Sequence, residues 1–219
     1  MFDDLALRPA LFLAIWAAGI CAGTAAVARW RIVGPGFLWV ASGAALLVGA
    51  GASFAGPLAM VAGGLILAAA VAARRSGLAG WLLAAASLLY GIEAALDAHA
   101  LLVVTGAMAL GGVSSEMLLG HWYLVDPRLP RTALRNLAAI GIAGIALDGA
   151  LLTVLGAPFG NGVLGLAFVV LATFGLVLMV GVWFSIKEKG YEGVMAATGL
   201  SYLAVLTVLG SAALGRALI

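Results

Sequence analysis

Charge is what this sequence lacks most. Only 9% of its 219 residues are Asp, Glu, Lys or Arg, where a water-soluble domain has about 25%. Hydrophobic residues make up 65%, and the mean hydropathy is +1.21. A chain of this length has no core large enough to hide so much apolar surface from water, so its solvent is lipid. Cysteine is nearly absent too. The lone Cys21 cannot form an intrachain disulfide, gives no metal-binding spacing, and reads as a small packing residue. Histidine occurs twice, as His99 and His121, 22 residues apart. That spacing is about 33 Å along one helix, which rules out a bis-histidine haem or a shared metal ion within this chain alone. No metal site is expected. P-loop, HExxH, GxSxG, CxxC and CxxCH motifs are all missing, and no apolar segment contains a lysine. Hydrolases, ATP-driven pumps, covalent haem proteins and retinal proteins thereby lose their usual signals. There is also no continuous basic face for a nucleic acid.

What the chain does have is a series of apolar runs. A spanning helix needs about 20 apolar residues, and eight segments approach this: 10–29, 37–54, 57–73, 79–97, 100–123, 134–156, 162–186 and 192–216. The second and third are the shortest, divided by Gly56-Pro57. All six prolines lie at or near segment boundaries, so the helices are expected to be continuous. The expected fold is an all-α integral membrane protein with eight transmembrane helices. Residues 1–8 contain Asp3 and Asp4 and lack a basic n-region, so the first segment is expected to be retained rather than cleaved.

Basic residues fall in alternate loops: Arg29 and Arg31, Arg74 and Arg75, Arg128 to Arg135, and Lys187 and Lys189. The loops between them, around 54–57, 97–100 and 157–161, carry none. The positive-inside rule then makes the basic loops cytoplasmic and puts both termini outside. Five of the six tryptophans, Trp30, Trp39, Trp81, Trp122 and Trp183, fall near the basic helix ends, where an interfacial belt is expected. A bacterial inner membrane fits this pattern.

The stretch Gly111–Pro130, GGVSSEMLLGHWYLVDPRLP, has a faint counterpart in Gly19–Leu38 at an offset of 92 residues. Gly19 falls on Gly111, Trp30 on Trp122, Val33 on Val125 and Pro35 on Pro127, while Thr24 falls on Glu116. AASLLY at 85–90 also resembles ATGLSY at 197–202. With four helices each, residues 1–97 and 98–219 would enter the membrane in the same direction, as two parallel repeats. The second half would carry most of the polar chemistry.

Ionisable groups inside spanning helices are costly and mark functional candidates. Three acids qualify: Glu93, Glu116 and Asp148. They are candidates for proton or substrate binding, set against a plainer role as interhelical hydrogen-bond partners. Arg216 is a possible ion-pair partner for Asp97, Glu93 or Asp148. His121, Trp122, Tyr123, Arg29 and Trp30 are candidate interfacial binding residues. Three functions follow as expectations. One is a proton-coupled transporter of a small solute or ion. Another is a membrane subunit of a respiratory-type redox complex, binding quinone or a non-covalent haem. The third is a structural or assembly subunit of such a complex. The expected partners are the lipid bilayer and either further copies of the chain or other membrane subunits.

Overall fold

A computed structural model describes residues 8–219; the stretch with Asp3 and Asp4 lies outside the described residues. Eight α-helices follow one another: α1 (Pro9–Trp30), α2 (Pro35–Ala52), α3 (Pro57–Val71), α4 (Ser76–Asp97), α5 (Ala100–Val125), α6 (Arg131–Val154), α7 (Gly162–Ser185) and α8 (Tyr191–Ala217). No strand occurs among the described residues. Proline starts α1, α2 and α3, where its missing N–H costs no helical hydrogen bond. Seven helices are long and apolar enough to cross a membrane. The exception is α3, whose 15 residues rise only about 22 Å. It runs antiparallel to both of its neighbours. Trp39, near the start of α2, donates to the Ala70 carbonyl near the end of α3 (2.9 Å), and Glu93, near the end of α4, reaches the start of α3.

Each set of four helices packs in the same cyclic order. In the first, α1 pairs with α2 and α4, and α3 with α2 and α4; in the second, α5 pairs with α6 and α8, and α7 with α6 and α8. The two sets meet mainly along α1 and α5. Gly19 lies on Gly111 and Gly23 on Ser115, so these two helices run in the same direction. A Cβ added at Gly19 would sit 2.7 Å from the Gly111 Cα, a distance that real side chains do not adopt. Glycine at both positions therefore lets the backbones touch, which is how helices gain dispersion contact where lipid supplies no hydrophobic drive.

The outward side chains are large and apolar, including Leu47, Phe54, Val71, Val154, Val163 and Leu166. Much of the interior is alanine and glycine, and Cys21 is one of its fully buried packing residues. Among the membrane-length helices α5 is the most enclosed and α7 the most open. The basic loops gather at one end of the bundle. There Arg29 stacks 4.5 Å over the Trp81 ring, and Lys187 lies 3.4 Å from the Trp183 ring. At the opposite end Arg8 pairs with Asp97 (3.2 Å), beside the far ends of α4 and α8.

Candidate functional site

The three intramembrane acids end in three different environments. Glu93 completes α3. Gly56 and Pro57 open that helix without a capping side chain, leaving backbone donors at its first turn. Glu93 reaches over from α4 and its Oε2 accepts from the N–H groups of Leu58 (2.7 Å) and Ala59 (3.1 Å). These are the donors that a local cap would normally satisfy. Gly56 is required by this approach, since a Cβ there would lie 2.6 Å from the Glu93 carboxyl carbon.

Asp148, in α6, is clamped. Arg216 of α8 meets it with both terminal nitrogens, Nη1 to Oδ2 at 2.9 Å and Nη2 to Oδ1 at 2.8 Å. Thr105 of α5 donates to the same Oδ1 (2.7 Å). Arg216 Nη2 also donates to the Leu102 carbonyl (2.8 Å), which ties α5, α6 and α8 together at the end away from the basic loops. This forked pair uses both oxygens of the carboxylate.

Glu116 differs from both. It is fully buried at the contact of α5 with α8, and no ion pair among the described residues includes it. Its Oε2 is held by the Ser201 hydroxyl, which also lies 2.8 Å from the Ala197 carbonyl. A hydroxyl has one proton to donate. Ser201 can satisfy both neighbours only when the Glu116 carboxyl supplies a proton of its own. The other oxygen, Oε1, has no hydrogen-bond partner and is the one such buried carboxylate oxygen among the described residues. It faces the space beside Gly120, where the Thr198 hydroxyl also arrives. A Cβ on Gly120 would lie 2.9 Å from Thr198 Oγ1 and 3.6 Å from Glu116 Oε1. The missing side chain at Gly120 lets these two groups converge.

One turn closer to the basic end, the same helix contact becomes exposed. His121 Nδ1 lies 3.1 Å from the Tyr202 hydroxyl. Ser201 and Tyr202 are consecutive on α8, so one reaches the buried acid and the other the exposed imidazole. The α5/α8 contact thus holds two separate polar pairs, an enclosed one at Glu116 and an exposed one at His121. No family model, curated protein or solved structure matches the chain. The reading of this site rests on its own geometry.

The remaining interfacial candidates lie elsewhere. Trp122 packs edge-on against Phe37 of α2, at 6.1 Å between ring centroids. Tyr123 is buried and accepts a long hydrogen bond from Arg131 Nε (3.4 Å). Arg131 in turn holds the α7–α8 turn through the carbonyls of Glu188, Lys189 and Gly190. Arg29 is engaged with Trp81, and Trp30 is exposed beside it in sequence. Of the eight candidates, only Glu116 and His121 meet polar side chains of α8, Ser201 and Tyr202 respectively. Sequence reasoning missed Thr198 and Ser201 as site residues and used Tyr202 only as a repeat marker. Their spacing, at i, i+3 and i+4, is a polar stripe on an otherwise apolar helix, and that signal was available.

Proposed function

We propose that this polytopic membrane protein is a proton-coupled transporter of a small solute or ion, with Glu116 as the group that takes up and releases the proton. One observation carries the reading: the Glu116 carboxyl is enclosed, lacks a cation among the described residues and leaves one oxygen unbonded. Asp148 uses both oxygens, and the Oε2 of Glu93 takes two amide donors, whereas Glu116 has a single hydroxyl neighbour on one oxygen and none on the other. On proton release the Ser201 hydroxyl would turn its one proton to Glu116 and give up the Ala197 carbonyl, while the Thr198 hydroxyl is donated to the Val194 carbonyl. Protons would enter from the basic end past His121 and Tyr202. In this reading Asp148 and Glu93 belong to the scaffold and the proton path narrows to Glu116.

The same reading takes the protein as two parallel four-helix halves, 1–97 and 98–219, with α3 as an eighth, short crossing. The shared cyclic packing order and the Gly19–Gly111 contact at corresponding positions support it. The basic loops would face the cytoplasm and both termini the outside of a bacterial inner membrane. The α5/α8 site lies within the second half, so alternating access would need α8 to move against α5. A second reading, a quinone-binding redox subunit, draws on the His121–Tyr202 pair alone, since an imidazole and a phenol can hydrogen-bond a quinone carbonyl.

The deciding experiment reconstitutes the protein in liposomes with an internal pH dye. It screens alkali cations, small organic acids, amino acids and sugars for solute-driven proton movement. One solute class is expected to move protons with the unaltered chain. Glu116→Gln, folded and equally abundant, is expected to abolish that movement. A Glu116→Gln variant that transports normally overturns the reading, and a stoichiometric bound quinone in the purified protein favours the second.

A further inference from the structure

Most of the arginines have partners. Arg8 pairs with Asp97, Arg128 with Asp126 and Arg216 with Asp148. Arg29 and Arg135 stack on Trp81 and Trp183, while Arg131 binds backbone carbonyls. Arg31, Arg74 and Arg75 differ, and the last two adjoin in the turn from α3 to α4. Both are exposed, and among the described residues neither guanidinium has a hydrogen bond, ion pair or aromatic partner. They stand at the mouth of an open trough of about 590 Å³. Its walls are Val71 and Ala72 at the end of α3, and Leu78 and Leu82 in the first turns of α4. Val71 is 88% exposed and Leu78 47%, so the walls face outward.

The trough occurs beside the one helix too short to match the hydrocarbon layer. At about 22 Å, α3 falls short of a core about 30 Å thick, and such a deficit is met by local thinning or by interfacial side chains. The result is a surface with two fixed positive charges above an apolar channel. A phospholipid has the complementary form, a phosphate above hydrocarbon. Arginine also offers a planar fork suited to phosphate oxygens. A zwitterionic headgroup would bring its own cation against the two guanidinium groups, whereas an anionic headgroup would not.

We propose that the α3–α4 turn is a binding site for one anionic phospholipid, with the phosphate held between Arg74 and Arg75 and an acyl chain lying along Val71, Leu78 and Leu82. This site is separate from Glu116 and does not depend on the transport reading.

Native mass spectrometry of the purified chain, equilibrated with equal amounts of phosphatidylglycerol and phosphatidylcholine, tests it. One phosphatidylglycerol per chain is expected, enriched at least about tenfold over phosphatidylcholine. The Arg74→Ala/Arg75→Ala variant is expected to bind the two lipids equally. Arg31→Ala, which also removes a charge from the basic end but does not border the trough, is expected to keep the preference. Equal binding by the unaltered chain overturns the proposal, and that measurement needs no variant. So does a loss in Arg31→Ala as large as in the double variant, which would mean diffuse attraction to the basic end. Displacement of the lipid by an equal concentration of inorganic phosphate overturns it as well, by making the site one for a free anion.

Discussion

Helix α8 meets α5 around two buried acids, and it treats them in opposite ways. Near its end, Arg216 engages both oxygens of Asp148 while Thr105 and the Leu102 carbonyl complete the set. Near its middle, Ser201 engages one oxygen of Glu116 and leaves the other open. The first arrangement engages both carboxylate oxygens and acts as a clamp, although the Arg216 Nε is left without a partner. The second retains a free acceptor and hydroxyl neighbours able to reorient. Burial alone therefore does not mark a functional acid in this bundle. The number of hydrogen-bonding positions left unfilled separates the two.

The largest expected effect comes from opening the clamp. Asp148→Asn leaves the Arg216 guanidinium buried without its counter-charge, which costs about 3–5 kcal/mol. Thermal unfolding in detergent would show it as a large fall in Tm or a loss of folded protein. The double variant Asp148→Leu/Arg216→Met removes both charges and is expected to recover most of that loss. If it does not, the clamp's hydrogen bonds to Thr105 and Leu102 carry the stability rather than the pair.

Glu93→Ala is expected to cost less, about 1–2 kcal/mol, the size of a lost helix cap. Hydrogen exchange should rise at Leu58 and Ala59 and leave α5 and α8 unchanged. The smallest effect on stability belongs to Gly120→Ala. Thr198 must shift by a few tenths of an ångström to admit the methyl group, against the gain of replacing a helical glycine, so the change in stability is expected within about 1 kcal/mol. Solute-driven proton movement should nevertheless slow, because the methyl group fills the space between Thr198 and Glu116 Oε1. Unchanged movement would separate Thr198 from the proton path.

The helices were largely legible in the sequence because their ends are chemically abrupt. Pro9, Pro35, Pro57 and Pro130 stand at starts, and charged turns such as Arg74–Arg75 and Lys187–Lys189 stand between runs. The segment expected at 57–73 forms 57–71, and that expected at 100–123 extends to Val125. Gly112 of α5 and Gly141 of α6 pack against each other. Eight segments looked able to cross the membrane. The structure gives eight helices, of which seven have the length, because the chain turns at Ala72 before α3 is complete.

The site was less legible, since its bonds join residues far apart in sequence. Asp148 and Arg216 are separated by 68 positions, and Glu116 and Ser201 by 85. Three partners for Arg216 were open from composition alone, and only the packing of α6 beside α8 selects Asp148. Glu93 is a candidate for proton transfer by its depth in α4, and its bonds to the Leu58 and Ala59 amides have no local sequence signal. The exposed Arg74 and Arg75 were read only as orientation signals, since a trough between two helices has no sequence pattern of its own.

The long-range cap on α3 also bears on how the chain is made. When α3 leaves the ribosome, its opening amides have no local acceptor, and the residue that will satisfy them is still 34 or 35 positions from being translated. Bare amides are poorly tolerated in hydrocarbon, and this helix is also the shortest. Stable insertion of α3 is therefore expected to wait for α4, with the two entering the bilayer as a hairpin. A truncation after Arg75 should leave α3 outside the membrane, while one after Asp97 should allow it in. In this segment, the order of synthesis is part of the fold.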